Sequence, residues 1–197
     1  MNRFRALLLL SVIFLSFCKS KAQVVVSDKY YMHDNREILT DEIQVPTTTD
    51  DIIVKLHLIY HKHKSKSIPA FEWAWFTIDF KKSTTGTISP YYYLLKTKND
   101  RIIQSQYGRA TETYSYVPKG WRRLEWHVKL EKKSIKEFTK EPIKKIRLAI
   151  GWGVEILDIE FLDESLTNYI RDAHNAILEQ SKTKLDESTN PPQYDTF

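Results

Sequence analysis

Trp73 and Trp75 stand two positions apart in a run, residues 70–80, that is apolar at most positions. In an extended chain side chains alternate between faces. Phe71, Trp73, Trp75, Thr77 and Asp79 therefore share one face, and Ala74, Phe76, Ile78 and Phe80 share the other. With a rise of ~3.3 Å per residue the two indoles lie about 7 Å apart. Flat rings at that spacing form a platform on which the apolar C–H faces of a sugar can stack. The competing account is a central strand buried on both faces, with the indoles covered by another part of the chain. Both accounts stand at this level.

A second strand, residues 121–130, supplies polar groups. Leu124, Trp126, Val128 and Leu130 point one way, and Arg123, Glu125, His127 and Lys129 the other, with Trp121 at the entrance. Planar hydrogen-bonders such as Arg and Glu can read sugar hydroxyls in pairs. The candidate ligand-binding set is therefore Trp73, Trp75, Trp121, Arg123 and Glu125, against the plainer account of a solvated strand face. His57, His61 and His63 also share a face, at a spacing that could chelate a metal. Lys55, Lys62, Lys64 and Lys66 would repel a cation there, so the histidines read as a solvated basic edge. No metal or cofactor is expected.

Asp79 and Glu125 could in principle form the carboxylate pair of a glycosidase, which needs a separation of ~5 to 9 Å. There is no G-x-S-x-G, H-E-x-x-H or P-loop, and the single cysteine is Cys18. No catalytic residue is assigned. A binding protein is the expectation, and a glycoside hydrolase or lyase is the third option.

These residues need strands to position them, and the chain supplies the pattern. Ile52, Val54, Leu56, Leu58 and Tyr60 alternate through residues 51–63. Residues 91–97 and 101–106 flank the turn-prone Lys98-Asn99-Asp100, which predicts a hairpin. Residues 146–152 and 154–162 alternate again. Residues 28–42 are polar and receive no assignment. From Ser165, read as an N-cap, the apolar residues Leu166, Tyr169, Ile170, Ala173, Ala176 and Ile177 fall at helical spacing. The expected fold is all-β: an antiparallel jelly-roll β-sandwich over 23–162, one amphipathic C-terminal helix over 163–185 and a disordered tail over 186–197.

Two stretches carry a resemblance. Gly120-Trp121-Arg122-Arg123-Leu124-Glu125-Trp126-His127-Val128 resembles the strand that opens the second half of jelly-roll carbohydrate-binding modules, the galactose-binding-like β-sandwiches. Residues 146–161, ending Ile156-Leu157-Asp158-Ile159-Glu160-Phe161, resemble their last two strands. The likeness spans about residues 120–162 and implies a jelly roll and sugar binding. Nothing in residues 23–40 matches the segment that contributes to those modules' structural calcium site. Asp158 holds the place of their last-strand aspartate, but calcium takes six to eight oxygen ligands.

Composition narrows the class. Over 197 residues, 42% hydrophobic and 13% aromatic content excludes wholesale disorder, and one cysteine excludes a disulfide scaffold. Residues 1–22 read as a signal peptide: Arg3 and Arg5, an apolar run from Ala6 to Cys18, and the small-x-small site Ser20-Lys21-Ala22. This run of 13 residues falls short of the about 20 that span a bilayer, so no transmembrane segment is expected after processing. Lipidation at Cys18 is the alternative to cleavage, though Phe17 fits a lipobox poorly.

Cleavage would remove Arg3, Arg5, Lys19 and Lys21 and no acid, taking 30 basic residues to 26 against 25 acidic. The basic pI therefore gives no reason to expect a nucleic-acid partner. The expected function is exported, non-catalytic glycan binding in the cell envelope: periplasmic, extracellular or outer-membrane associated. The alternative is a structural or protein-interaction module with no small-molecule ligand, with the C-terminal helix as one place for a protein partner.

Overall fold

The computed structural model describes residues 24–31, 35–65, 67–81, 92–105, 109–112, 119–150 and 155–183. The expected leader (1–22), the tail (186–197) and the bend at Gly151 and Gly153 lie outside the described residues. The chain forms two antiparallel sheets and a C-terminal helix. The larger sheet holds β1 (Val25–Tyr31), β2 (Asn35–Thr40), β4 (Ile52–Lys62), β5 (Phe71–Lys81), β9 (Trp121–Lys129) and β8 (Arg109–Glu112) in that order, with β3 (Ile43–Val45) beside β4. The smaller runs β11 (Glu155–Glu160), β10 (Ile143–Ile150), β6 (Tyr92–Thr97) and β7 (Ile102–Ser105).

Of residues 28–42, which receive no assignment from sequence, 28–31 belong to β1 and 35–40 to β2. β2 and β3 share one edge of β4: Arg36 to Leu39 face Lys62 to Ile59, and Ile43 to Val45 face Leu56 to Val54. The register advances by one residue across Asp41-Glu42, which acts as a bulge and exchanges which parity faces inward. Thus Ile38 is buried on β2 and Val45 on β3. The expected hairpin is present as β6 and β7, with Asp100 at φ 59°, a left-handed conformation that Asp tolerates better than most residues. Gly120 enters β9 at φ 89°, where a side chain would be strained.

The core is where the inner faces meet. Trp126 of β9 stacks on Phe76 of β5 (centroids 4.6 Å apart) and meets Tyr93 of β6 edge-on at 4.8 Å. Trp126 is 1% exposed and Leu148 is fully buried, as their mid-strand positions predict. A helix absent from the sequence reading, α1 (Lys132–Lys140), drives Phe138 into the same cluster, 6.4 Å from both Phe76 and Tyr93. Only Ile135 and Phe138 give it an apolar side, so its helical periodicity is thin.

The C-terminal helix, α2 (Ser165–Lys182), buries Leu166, Ile170, Ala173 and Ile177, a four-three-four spacing that lines up one stripe. Glu164, not Ser165, occupies the N-cap and makes no side-chain cap bond. Asp163 Oδ1 instead accepts from the Ser165 N–H at 2.8 Å. The helix contacts β1, β2, β4 and α1. Polar contacts fix its face: Tyr169 bonds the Thr40 hydroxyl and the Asp41 carbonyl, and His174 Nδ1 lies 2.8 Å from Glu72 Oε2. At its C-terminal end the guanidinium of Arg36, 6% exposed, grips Asp28 and donates to the carbonyls of Gln180, Ser181 and Thr183. Arg36, Thr40 and Glu72 are buried on the inner side of the large sheet, with Ile38 and Ala74. Both helices therefore complete the second layer beside the smaller sheet, and neither lies on the outer face of β5.

Candidate functional site

The outer face of the large sheet collects the residues singled out by type. Pairing sets them in rows: His57, Trp75 and His127 across β4, β5 and β9, and next to that row Ile59, Trp73 and Lys129. On one side of these, Lys55, Thr77 and Glu125 align, and on the other His61 and Phe71. Trp73 and Trp75 are half-buried. The account in which α2 covers them is corrected: the helix packs on the opposite face, because the inner-face groups Glu72, Thr40 and Arg36 match its polar contacts.

The rings form a continuous ridge. His57 stacks on Trp75 at 5.7 Å and 19°, and His127 approaches Trp75 at 3.7 Å and 47°. Phe71 meets Trp73 edge-on at 6.5 Å, and His61 tilts against Phe71 at 5.2 Å. The ridge from Phe71 to Trp75 is about 13 Å long at ~3.3 Å per residue.

His57 and His61 are not part of the solvated basic edge that the lysine-rich sequence suggests, whereas His63, just past β4, is exposed beside Lys62 and Lys64. β4 is a central strand, flanked by β2 and β3 on one side and β5 on the other. The His57 side chain is only 19% exposed, and burial lowers its pKa against the pull of Glu42, 4.0 Å away, and of Glu125. Burial likewise lowers His61, opposed by Glu37 at 3.8 Å. Both imidazoles are therefore neutral at pH 7. Among the described residues no group of three His, Cys, Asp or Glu side chains is placed to hold a metal ion.

The five candidate residues share this face but do not form one cluster. Glu125 lies one row from Trp75. Arg123 pairs with Asp79, one row beyond Glu125 and about 13 Å along the strand from Trp75. Its guanidinium donates to both Asp79 oxygens at 2.6 and 2.7 Å. That engagement leaves Arg123 poorly placed to read a sugar, and a carboxylate held on both oxygens makes Asp79 a poor acid or base. Trp121 lies further still, opposite Lys81, whose ammonium sits 5.0 Å from its ring. The residues that sequence reasoning set aside are His57 and His127. Their alternation with Trp75 on paired strands becomes visible only once the register is known.

Comparison with family models, curated proteins and solved structures returns no match for this chain. Among the described residues no helix is long and apolar enough to cross a membrane.

Proposed function

We propose that this chain is an exported, non-catalytic carbohydrate-binding β-sandwich of the jelly-roll type, acting in the bacterial envelope after loss of residues 1–22 or attachment through Cys18. The observation that carries the reading is the ridge of Phe71, Trp73 and Trp75 on a sheet face that both helices leave uncovered. Three aromatic side chains left partly exposed in one row on a sheet face suit a binding surface. Rings with apolar faces suit the C–H faces of pyranoses, and the half-buried His57 and Glu125 beside Trp75 are hydrogen-bonding groups suited to hydroxyls.

Replacing Trp73 or Trp75 with Ala tests this. Loss of glycan binding is expected at a stability cost of about 1–2 kcal/mol, below the ~3–5 kcal/mol for a fully buried Trp, because each ring is only half-buried. A cost in the buried range, with no glycan bound by the wild type, contradicts the reading. A protein-interaction reading uses the same face. Leu39 and Ile59, half-buried beside Trp73, extend the patch with aliphatic surface that a sugar does not need. On that reading the same two variants lose a protein partner and no glycan. Partner binding through α2 would have to use its charged outer side, since its apolar stripe is buried.

A further inference from the structure

We propose that α1 docks on an anionic lipid bilayer through a row of lysines, an interaction independent of what the aromatic face binds. A helix turns about 100° per residue. With Ile135 and Phe138 directed into the core, the opposite arc carries Lys132, Lys133, Lys136 and Lys140, all exposed. Lys132, Lys136 and Lys140 recur every four residues and form one row about 12 Å long. Three carboxylates lie on or next to α1, and each stands beside a cation outside this row. Glu131 is with Lys129 (3.4 Å), Glu137 with Lys133 (4.0 Å) and Glu141 with Arg101 (3.2 Å), where Lys140 adds a weaker pull. Among the described residues no ion pair reaches Lys132, Lys136 or Lys140.

This arrangement works against the helix itself. Like charges four residues apart repel, and Lys132 and Lys133 sit at the positive end of the helix dipole, whose first turn holds no acid. The neighbouring helix does the reverse: on α2, Arg171 stands beside Asp172 (3.4 Å) and Lys182 beside Glu179 (2.8 Å). A merely solvated face needs no such row, whereas an anionic surface relieves the repulsion and gains from every lysine. The residue types select the kind of anion. Lysine is a compact point charge without the planar fork by which Arg grips a single phosphate. The one aromatic residue of α1, Phe138, is buried, so no ring is offered for a base to stack on. Point charges in a row on a convex helix suit a diffuse field of lipid headgroups. Phe138 points toward Phe76 on the inner face of the large sheet, so the row points away from that sheet. Docking therefore leaves the Trp73–Trp75 face turned from the membrane.

The experiment measures partition of the full chain into vesicles of phosphatidylcholine and into vesicles of equal parts phosphatidylcholine and phosphatidylglycerol, and takes the ratio of the two coefficients. The ratio removes any apolar contribution common to both, that of residues 1–22 included. One lysine near an anionic surface strengthens partition about fivefold, so Lys132→Gln/Lys136→Gln/Lys140→Gln should lower the ratio by about a hundredfold. Gln keeps much of the helix propensity of Lys, and the three positions lie outside the core. The control Lys29→Gln/Lys81→Gln/Lys119→Gln, with the same net charge, should stay close to the wild-type ratio. Salt at about 1 M, where the screening length is ~3 Å, should erase the difference between wild type and the α1 variant. An unchanged ratio in the α1 variant, or an equal loss in the control, overturns the proposal. Binding of duplex DNA that depends on the row, with no lipid term that does, overturns it in favour of a nucleic acid. A lipid term that emerges only in Asp186→Asn/Glu187→Gln/Asp195→Asn assigns the row to the chain's own residues 184–197 and overturns it too. Each of these outcomes leaves the carbohydrate reading as it stands.

Discussion

Arg36 joins the two ends of the described chain, and its replacement by Met should expose how much the fold depends on that junction. Its Nε and Nη2 donate to Asp28 at 2.8 and 2.6 Å, and its Nη1 and Nη2 reach the carbonyls of Ser181, Thr183 and Gln180 at 3.2, 2.8 and 2.8 Å. Those carbonyls lie at the end of α2, where no further helical turn bonds them and only the Gln180 carbonyl also accepts from the Thr183 N–H and hydroxyl, and a cation there also meets the negative end of the helix dipole. A hydrogen bond to a charged group contributes ~1.5–3 kcal/mol, but five sharing one desolvated guanidinium do not add. The better guide is removal of one member of a buried ion pair, which costs ~3–5 kcal/mol because the other charge stays buried. Asp28 would keep only Gln180 Nε2, at 2.7 Å. At ~2–4 °C per kcal/mol for a domain of this size, Tm should fall by about 6–20 °C. Urea unfolding followed by circular dichroism gives the number directly. The Arg36→Met/Asp28→Leu double variant should lose much less than the two single losses combined, since no orphan charge remains. A loss below about 1 kcal/mol for Arg36→Met, or strict additivity in the double variant, would refute the reasoning.

Trp126→Ala should cost ~3–5 kcal/mol in denaturant melts, since the ring is fully buried between Phe76 and Tyr93; a loss under one kcal/mol contradicts the packing. Asp158 provides a pH test. The Arg147 guanidinium, donating to both carboxylate oxygens, and the nearby Lys145 hold it below the usual aspartate range, against partial burial. A lowered folded pKa contributes stability above the unfolded value near 3.9 that is lost as pH falls through the folded one. Urea midpoints between pH 5 and 3 should therefore fall more steeply for the wild type than for Asp158→Asn, and equal slopes would count against the pairing.

The strands that carry the candidate site were legible because each buries one face. β4 and β9 alternate cleanly between aliphatic and polar side chains, and periodicity of two is a local signal. β1 and β2 were not legible, because the inner positions that meet α2 carry Asp28, Arg36 and Thr40 in place of apolar residues. Their polarity is matched by groups more than a hundred residues away, which no local pattern reveals. β5 was ambiguous for the opposite reason: both of its faces are apolar, so the sequence cannot say which meets the helix. Glu72 and its contact with His174 settle the matter in space. The same limit hid His57 and His127, which read as ordinary outward side chains until strand pairing places them on either side of Trp75.

The central claim is that a glycan lies on Trp73 and Trp75. The most direct measurement is the set of indole N–H signals in a 1H–15N spectrum during titration with neutral hexasaccharides of glucose, xylose and mannose. Trp73 and Trp75, assigned through their Ala variants, should shift in a saturable way while the buried Trp126 signal stays in place. Saturable binding that moves only other tryptophans, or no shift at Trp73 and Trp75 with any of the sugars, would contradict the account.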